Sequence, residues 1–462
     1  MTDKDVLDKI FQGYDIRGLY PEQYNGDTAY AVGRGVVVQT GARRVIVGRD
    51  MRHGGHAILS ALALRAMDQG ANVTDAGMCS TDALQYASWA GGYDLSLMVT
   101  ASHNPGEFNG TKLVKSDGLS IGQATGLNRI KRMVLRGKFP ATRRKGGIDR
   151  TEVLGPFVKH ALSFIKPRRL KPFKIVVDAG NGMGGALIEL LAKHVPFRIV
   201  PMYFKPDGSF PNHDADPTRP ECARVLRNRV RQEKADLGLG FDGDADRAVF
   251  IDDRGQGING SELGSVMTEK LLEESPGAKI GSCLVSSWIA RDTVNAKDGT
   301  HVPLPVGGAN IRPRMRRQDI VFVSERSGHF YMAANNLGDS GLITALMVLE
   351  RLSLAGCSLS ELITPYRKYY MAPELTILVG TDRSTLAQLK QIKDRKAARV
   401  EKLARGARVV RGGKDKRYEF DDWWFCVRPS GTNPRQLRMT VEARSKKLMR
   451  EKYEELKRLL VG

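Results

Sequence analysis

The chain has 462 residues, of which 41% are hydrophobic and 27% charged, enough for about three or four globular domains. No apolar run approaches the roughly 18 residues that a membrane helix needs, so we expect no membrane partner. The five cysteines are scattered, odd in number and form no CxxC pair, which excludes an obvious disulfide framework and predicts reduced thiols in a cytoplasmic protein.

The formal net charge of +21 favours anionic partners and speeds their arrival. The densest basic stretch, residues 128–150, has little aromatic content and contains no nucleic-acid-binding motif. We interpret it as a solvated basic face, which argues against nucleic acid as a partner despite the charge. A phosphorylated small substrate would benefit from the same field.

Apolar β-rich runs alternate with helical patterns in the first part of the chain. Residues 43–50 predict a strand, residues 56–70 a helix that ends at a glycine, and residues 71–77 and 94–101 two further strands. This alternation is typical of βαβ units around a parallel or mixed sheet.

The alternation restarts after residue 146 and again after residue 260, whereas the C-terminal part combines two amphipathic helices with short strands. We therefore predict an α/β protein with three related mixed-sheet domains and a smaller C-terminal α+β domain. The predicted boundaries are 1–148, 149–253, 254–368 and 369–462.

The stretch "TASHNP" follows the strand at 94–101 and places Ser102 beside His103. Alone, this pair suggests a hydrolase with His103 as the base of a serine nucleophile. No nucleophile elbow and no matching acid support that interpretation.

The glycine loop "AGNGMGG" contains a formal GxGxxG between a strand and a helix, at Gly180, Gly182 and Gly185. A dinucleotide site would also need an acid at the end of the next strand, where Lys205 and then Asp207 stand. We favour a tight strand-to-helix turn over a dinucleotide site.

The strongest single signal is "FDGDADR", in which Asp242, Asp244 and Asp246 alternate directly after an apolar strand. Three carboxylates in five residues repel one another unless a hard cation neutralises them, and oxygen ligands without His or Cys indicate Mg²⁺ or a similar ion. An EF-hand is a poor fit because Asp253 stands where the loop would end in Glu.

Two further polar loops carry candidate binding residues. In "VSERSGHFY", an extended backbone would point Glu325, Ser327 and His329 the same way, as a row suited to sugar hydroxyls. The loop "VRPSGTNPRQLR" combines hydroxyls, glycine-exposed backbone N–H groups and guanidinium groups, which suit a phosphate. Its candidate residues are Arg428, Ser430, Gly431, Thr432 and Arg438.

Together these stretches resemble one family, the α-D-phosphohexomutases, and most closely its bacterial phosphomannomutase/phosphoglucomutase branch. The motifs occur in the family's order over nearly the whole chain; they are "FQGYDIRG", "TASHNP", "NGTK", "AGNGMGG", "FPNHDADP", "DGDADR", "SERSGH" and "RPSGTNPRQLR". The resemblance implies four domains around a positively charged central cleft, with the phosphoserine, metal, sugar-binding and phosphate-binding loops one to each domain.

The resemblance also implies the chemistry. Ser102 would carry a phosphoryl group in the resting enzyme, and its phosphate would hold Mg²⁺ together with the three aspartates of "DGDADR". Arg17, Arg247 and His103 would steady the phosphoserine, and Lys112 would act as general acid or base toward the sugar hydroxyl. The enzyme would interconvert mannose and/or glucose 1- and 6-phosphates through a hexose 1,6-bisphosphate.

Substrate recognition is implied for residues in three of the motifs. They are Tyr14, Glu325, Ser327, His329, Arg428, Ser430, Gly431, Thr432 and Arg438. The expected partner is a phosphosugar, and the expected state is a monomer or a dimer.

The chain departs from the family's pattern mainly where the sugar would bind. Ser286 and Gly308 occupy the places of an expected lysine and histidine, and "SERSGH" stands for the usual GEMSGH, which makes Ser324 and Arg326 unusual. In the metal loop, Ala245 replaces a usual glycine. Arginines at 291, 312, 314 and 326 are candidates to replace the lost groups.

Three alternatives stay open from the sequence. A phosphoglucosamine or phosphopentose mutase would use the same machinery on another sugar. A non-catalytic phosphosugar-binding or nucleic-acid-associated protein would not need a phosphorylatable Ser102. A dehydrogenase rests only on the glycine loop.

Overall fold

The computed structural model describes residues 4–142, 145–379, 386–430 and 435–461. The chain forms two compact units. The first comprises Met1–Asn259 and Ser327–Leu362, and the second comprises Gly260–Arg326 and Ile363–Gly462.

The first unit begins with a six-stranded mixed sheet. Its strands lie in the order Ile16–Leu19, Phe108–Lys115, Leu95–Val99, Arg44–Arg49, Asn72–Met78 and Ile148–Arg150. The first two pairings are antiparallel and the other three parallel. The helices that accompany this sheet are Lys4–Ile10, Gly26–Thr40, Gly55–Asp68, Thr81–Ala90 and Leu127–Arg136.

Burial and capping explain these elements. The central strand Leu95–Val99 is buried along its whole length, as expected for a strand covered on both faces. The helix Gly26–Thr40 begins at Asn25, whose side chain accepts hydrogen bonds from two free backbone N–H groups, and it ends at Gly41 in a left-handed conformation.

The second sheet of this unit has five strands. They lie in the order Gly257–Ile258, Ala248–Asp252, Leu237–Phe241, Lys174–Asp178 and Arg198–Met202. The other strand and the other helices of the unit are Phe330–Met332, Leu154–Leu162, Gly184–Leu191, Pro220–Glu233, Gly341–Ala355 and Leu359–Ile363. Because the strand Leu237–Phe241 pairs parallel with one neighbour and antiparallel with the other, this sheet is also mixed.

The second unit combines a parallel and an antiparallel set of strands. The parallel set is Thr300–Leu304, Lys279–Cys283 and Ile320–Ser324, with helices Gly260–Glu274, Trp288–Ala296 and Gly308–Gln318. The antiparallel sheet contains Tyr370–Met371, Leu375–Leu378, Gln436–Ala443, Trp423–Pro429, Asp415–Glu419 and Arg408–Gly412. Its helices are Leu386–Leu403 and Lys446–Val461.

A buried polar network joins the two parts of the second unit. The Glu442 carboxylate accepts hydrogen bonds from the Trp288 backbone N–H at 2.9 Å and from the Trp424 indole at 2.7 Å. Glu419 accepts from the Trp288 indole at 2.8 Å and pairs with Arg417 at 2.5 Å. This network ties the loop before Trp288 to the antiparallel sheet. Removing one partner would leave a buried charge uncompensated, which is strongly destabilising.

The predicted α/β fold class with mixed sheets is confirmed. Residues 327–362 cluster with the first unit, although the predicted third segment groups them with residues 254–326; the four boundaries remain predictions. Within the described ranges, no single helix is long and apolar enough to cross a membrane. The one helix pair that passes on length and composition together, Gly341–Ala355 with Leu359–Tyr366, is bent by 99°.

The glycine loop packs backbone against backbone. A Cβ atom on Gly185 would lie 2.6 Å from the Phe204 carbonyl oxygen, and one on Gly182 would lie 2.6 Å from the Gly243 carbonyl oxygen. These contacts support the structural interpretation of the loop, because each glycine is needed for a close approach within the unit. Gly182 thereby packs directly on the "DGDADR" loop.

We expect Gly185→Ala to lower the thermal unfolding midpoint by several degrees, since overpacking against rigid backbone costs about 1–3 kcal/mol. Gly26→Ala is the matched control, because nothing lies within 4 Å of a Cβ atom there. Differential scanning calorimetry of both variants checks this. Equal midpoints would contradict the packing role of the loop.

Candidate active site

Three aspartates converge where the strand Leu237–Phe241 ends. Asp242, Asp244 and Asp246 are all buried, and each offers a carboxylate oxygen within 4.8 Å of the others. The loop turns at Ala245, whose φ of 62° lies in the left-handed region. Glycine adopts this conformation without a steric penalty, whereas an alanine must be held in it by its surroundings.

Burial and mutual repulsion shape the charge of this triplet. Burial and the other two carboxylates raise the pKa of Asp242, and burial and Asp244 raise the pKa of Asp246. The pKa of Asp244 is lowered in spite of its burial, chiefly because Lys112 lies beside it.

The chemistry of this donor set fits a hard divalent cation. One oxygen of Asp244 and one of Asp246, the Oδ1 atoms, are buried and have no hydrogen-bond partner among the described residues. An unsatisfied buried carboxylate oxygen is costly, and a cation with oxygen ligands would compensate for it.

Lys112 lies on the strand Phe108–Lys115 and reaches the triplet. Its Nζ atom is 2.6 Å from an oxygen of Asp244 and 2.6 Å from an oxygen of Asp246. Burial alone would lower the pKa of this amine, but the two carboxylates outweigh burial and raise it. Lys112 therefore supplies part of the positive charge that the triplet needs.

Ser102 is brought to the same cluster. It is buried, its φ of 52° is left-handed, and its Oγ atom donates to Asp242 Oδ2 at 2.9 Å. A non-glycine residue in this conformation is held there by its surroundings, and such residues concentrate at functional sites.

His103 cannot serve Ser102 as a triad base in this arrangement. Its Nδ1 atom is 3.4 Å from Ser102 Oγ but accepts a hydrogen bond from the Arg247 guanidinium at 2.5 Å. Burial, followed by Arg247 and Arg17, lowers the pKa of His103. The hydrolase interpretation is therefore disfavoured, since the nitrogen nearest Ser102 is already occupied.

The two predicted arginines flank this serine. Arg247 lies 3.4 Å from Asp242 through Nε, and Arg17 donates to the Ala101 carbonyl oxygen at 3.1 Å and to Asn104 Oδ1 at 2.8 Å. Both side chains are buried. The two guanidinium groups therefore place positive charge beside the loop that carries Ser102.

The sequence did not reveal the role of Arg52, which binds the backbone of the serine loop, residues 102–108. Its guanidinium donates to four backbone carbonyl oxygens of this loop, those of Ser102 at 2.6 Å, Asn104 at 2.5 Å, Pro105 at 2.7 Å and Phe108 at 3.0 Å. A planar fork with fixed donors suits such a set of acceptors. Arg52 therefore determines the path of the loop.

Arg52 is itself held by buried partners. Asp50 lies 3.3 Å from its Nε atom and accepts from Thr100 Oγ1 at 2.6 Å, while Thr100 Oγ1 accepts from the Ser102 N–H at 2.8 Å. The Phe210 ring stacks under the guanidinium at 4.9 Å. The available signal was that Asp50 and Arg52 directly follow a strand end, as the aspartate triplet does.

Thr81, at the first turn of the helix Thr81–Ala90, is a second residue that the sequence did not reveal. Its hydroxyl donates to Asp244 Oδ2 at 2.5 Å, and its N–H donates to the Asp244 carbonyl oxygen at 3.0 Å. This double contact fixes the orientation of one carboxylate of the triplet.

The predicted extended row at Glu325, Ser327 and His329 is wrong, because residues 325–329 form a turn with Gly328 at a φ of 88°. His329 Nδ1 donates to Asp339 Oδ2 at 2.7 Å and lies 3.7 Å from Asp246 Oδ1. Ser327 is partly buried. His329 thus extends the aspartate cluster.

Glu325 belongs to the second unit. Its Oε1 atom accepts from the Gly307 N–H at 3.0 Å and from the Cys283 thiol at 3.2 Å. Burial, with Glu325 beside it, raises the pKa of the Cys283 thiol, so the thiol stays protonated and can donate. Cys283 is a contact that scattered cysteines in a sequence do not reveal.

Part of the predicted phosphate loop is described. Arg428 and Arg438 both pair with Glu374, at 3.3 Å and 3.4 Å, and the Ser430 N–H donates to the Gln436 carbonyl oxygen at 2.9 Å. Gly431 and Thr432 lie outside the described residues. Tyr14, in the first unit, is partly buried.

The unusual positions of the second unit have local partners. Ser286 is buried and its hydroxyl donates to the Ser324 carbonyl oxygen at 3.4 Å, and Gly308 begins the helix Gly308–Gln318. Neither position offers a charged side chain to this unit.

The comparisons with known proteins cover the chain in four consecutive segments. Residues 8–141, 156–256 and 259–369 match the phosphoglucomutase/phosphomannomutase alpha/beta/alpha domains I, II and III, and residues 378–459 match the C-terminal domain of that family.

Named relatives span the full length. A phosphomannomutase of Vibrio cholerae is 34% identical over 97% of this chain and 98% of its own length. A protein of Xanthomonas campestris named phosphohexose mutases is 32% identical over 98% and 99%.

The solved structure of a phosphoglucomutase/phosphomannomutase family protein from Burkholderia thailandensis has a TM-score of 0.87 and 28% identity, over 98% of this chain and 97% of that one. The chain therefore belongs to the phosphoglucomutase/phosphomannomutase family and is an isomerase of the phosphohexomutase type.

Proposed function

We propose that this protein is a Mg²⁺-dependent mutase that interconverts hexose 1-phosphate and hexose 6-phosphate, of mannose and/or glucose, through a phosphorylated Ser102 and a hexose 1,6-bisphosphate. The observation that carries the proposal is the 2.9 Å contact between the Ser102 hydroxyl and Asp242, inside a triplet with unpartnered carboxylate oxygens. A hydroxyl held in this way would carry a phosphoryl group next to the cation that the carboxylates would bind.

Asp242, Asp244 and Asp246 are the residues that would hold Mg²⁺, together with an oxygen on Ser102. When bound, the ion would neutralise charge on the phosphoryl group. A mutase of Aspergillus fumigatus with the same fold, 15% identical with a TM-score of 0.58, has been solved with GlcNAc-6P and magnesium. That complex supports this choice of cofactor.

The remaining residues near Ser102 would act by position and charge. Arg247 and Arg17 bring two guanidinium groups to the serine loop, and the neutral His103 accepts from one of them. Lys112, between two carboxylates of the triplet, is our candidate to exchange a proton with the sugar hydroxyl, on the basis of its place alone.

We assign recognition of the sugar and its distal phosphate to one residue near the N-terminus and to residues of the two later loops. They are Tyr14, Glu325, Ser327, His329, Arg428, Ser430, Gly431, Thr432 and Arg438.

The same mutase chemistry on glucosamine or pentose phosphates is the second candidate, favoured by the loss of charge at Ser286 and Gly308. Initial rates on the mannose, glucose, glucosamine and ribose 1-phosphates, with Mg²⁺ and the matching bisphosphate, distinguish the two.

We expect Ser102→Ala to lose most turnover and also the mass of one phosphate, because the phosphoryl acceptor is gone. Coupled rate assays and intact-protein mass spectrometry measure these two losses. Ser116→Ala, an exposed serine after the same β-hairpin, is the control and should keep both. Unchanged activity in Ser102→Ala would sink the mechanism.

We expect Asp244→Asn to raise the Mg²⁺ concentration needed for half-maximal activity by at least about tenfold, because one charged ligand is lost. Mg²⁺ titrations of activity, and of metal binding by calorimetry, report the change separately. The exposed Asp149→Asn is the charge-matched control. Full turnover of the wild-type protein in excess chelator would refute the metal assignment.

We expect Arg52→Lys to lower kcat by about 10–100-fold with a smaller change in KM, because the loop that carries Ser102 loses its fork of donors. Steady-state kinetics give the kcat and KM values, and the unfolding midpoint shows whether the variant is folded. Arg52→Lys with wild-type kcat and an intact fold would rule out the clamp as a positioning device.

A further inference from the structure

The second unit has lost two groups that the family places against the phosphosugar, and four arginines are candidates to replace them. Arg291 is already used by Asp292 at 3.1 Å and Glu419 at 3.3 Å. Arg314 donates to the Asn310 carbonyl oxygen of its own helix at 3.0 Å. Arg312 is buried and has interactions of its own.

Arg326 is different, because part of its guanidinium is unused. Its Nη2 atom donates to the Ala372 carbonyl oxygen at 3.1 Å, whereas its Nη1 atom is buried and makes no hydrogen bond within the described residues. A buried guanidinium nitrogen without an acceptor costs free energy, and only an acceptor can satisfy it.

Arg326 shares its surroundings with the predicted phosphate-binding arginines. Burial lowers the pKa of Arg326. The charge of Arg428 lowers that pKa further, whereas the carboxylates of Glu374 and Glu442 act in the opposite direction. Glu374 in turn is the one carboxylate that pairs with both Arg428 and Arg438. Arg428 and Arg438 therefore contact Glu374 directly, and Arg326 lies within the reach of its charge.

The other carboxylates near this cluster are engaged elsewhere or face a single arginine. Glu442 already accepts from the Trp288 backbone and the Trp424 indole. Asp415 is influenced by Arg428, and burial raises the pKa of its carboxyl. Glu374 is therefore the carboxylate that Arg428 and Arg438 share, and an anion with several oxygens would supply further acceptors to this cluster.

We infer that Arg326 is a third guanidinium of the substrate-phosphate site, in addition to Arg428 and Arg438, and that it replaces the positive charge missing at Ser286 and Gly308. The inference rests on the proposed function, which provides the phosphosugar. A phosphate is the ligand class that fits, because the free nitrogen is a donor beside two other planar donor groups.

Binding to a non-reacting protein tests the inference directly. Isothermal titration calorimetry on the Ser102→Ala background would measure the Kd values of glucose 6-phosphate, mannose 1-phosphate and inorganic phosphate. Adding Arg326→Met should weaken all three by about 10–100-fold, the effect of losing a charge-assisted hydrogen bond. Adding Arg411→Met, an exposed arginine of the same unit, should leave them unchanged.

The possible results separate the inference from the proposed function. If the Ser102→Ala background binds neither sugar phosphate, the proposed substrate class fails. If the background binds the sugar phosphates and Arg326→Met has the same Kd values as the control, the inference is overturned. The inference is also overturned if Arg326→Met weakens binding of the hexose phosphates but not of inorganic phosphate. Arg326→Lys keeps the charge and protects the test against misfolding, and it should bind several-fold less tightly than the background.

Discussion

Three carboxylates buried within 4.8 Å of one another are the constraint on which the first unit depends. Like charges at such distances in a protein interior repel strongly, so the surroundings must supply compensating charge. The two strands that bracket the loop hold Asp242, Asp244 and Asp246 in place. Lys112 and Arg247 bring positive charge, and the two Oδ1 oxygens without partners leave an acceptor surface that suits a cation.

The fold delivers a hydroxyl to this surface with its conformation already chosen. Ser102 has a left-handed backbone, and the cost of that conformation is met by the layer beneath, in which Arg52 binds the loop's carbonyl oxygens and Thr100 binds its N–H. The strand ends of one sheet carry this layer, and those of the next sheet carry the triplet. Pre-organisation of this kind is what a reaction governed by positioning requires.

Local patterns predicted the strands, the helices and the aspartate triplet, because each rests on residues close together in the sequence. The glycine loop was interpreted as a tight turn, and the close backbone contacts of Gly182 and Gly185 support that interpretation. The turn at Gly328 was missed because alternating polar residues suit an extended strand and a loop equally well. Arg52, Thr81 and Asp339 were missed because their partners lie far away in sequence, and a single sequence does not pair them.

In the second unit, the buried Glu442 and Glu419 hold Trp288 through its backbone and indole N–H groups. Arg428 and Arg438 of the same unit both pair with Glu374.

The proposed reaction depends on a phosphoryl group carried by Ser102. Protein loaded with radiolabelled glucose 1,6-bisphosphate and chased with unlabelled mannose 1-phosphate tests it most directly. We predict label on the peptide that contains Ser102 and its transfer to hexose phosphate within the first turnovers. Label on another residue, or label retained while turnover proceeds, would contradict the account.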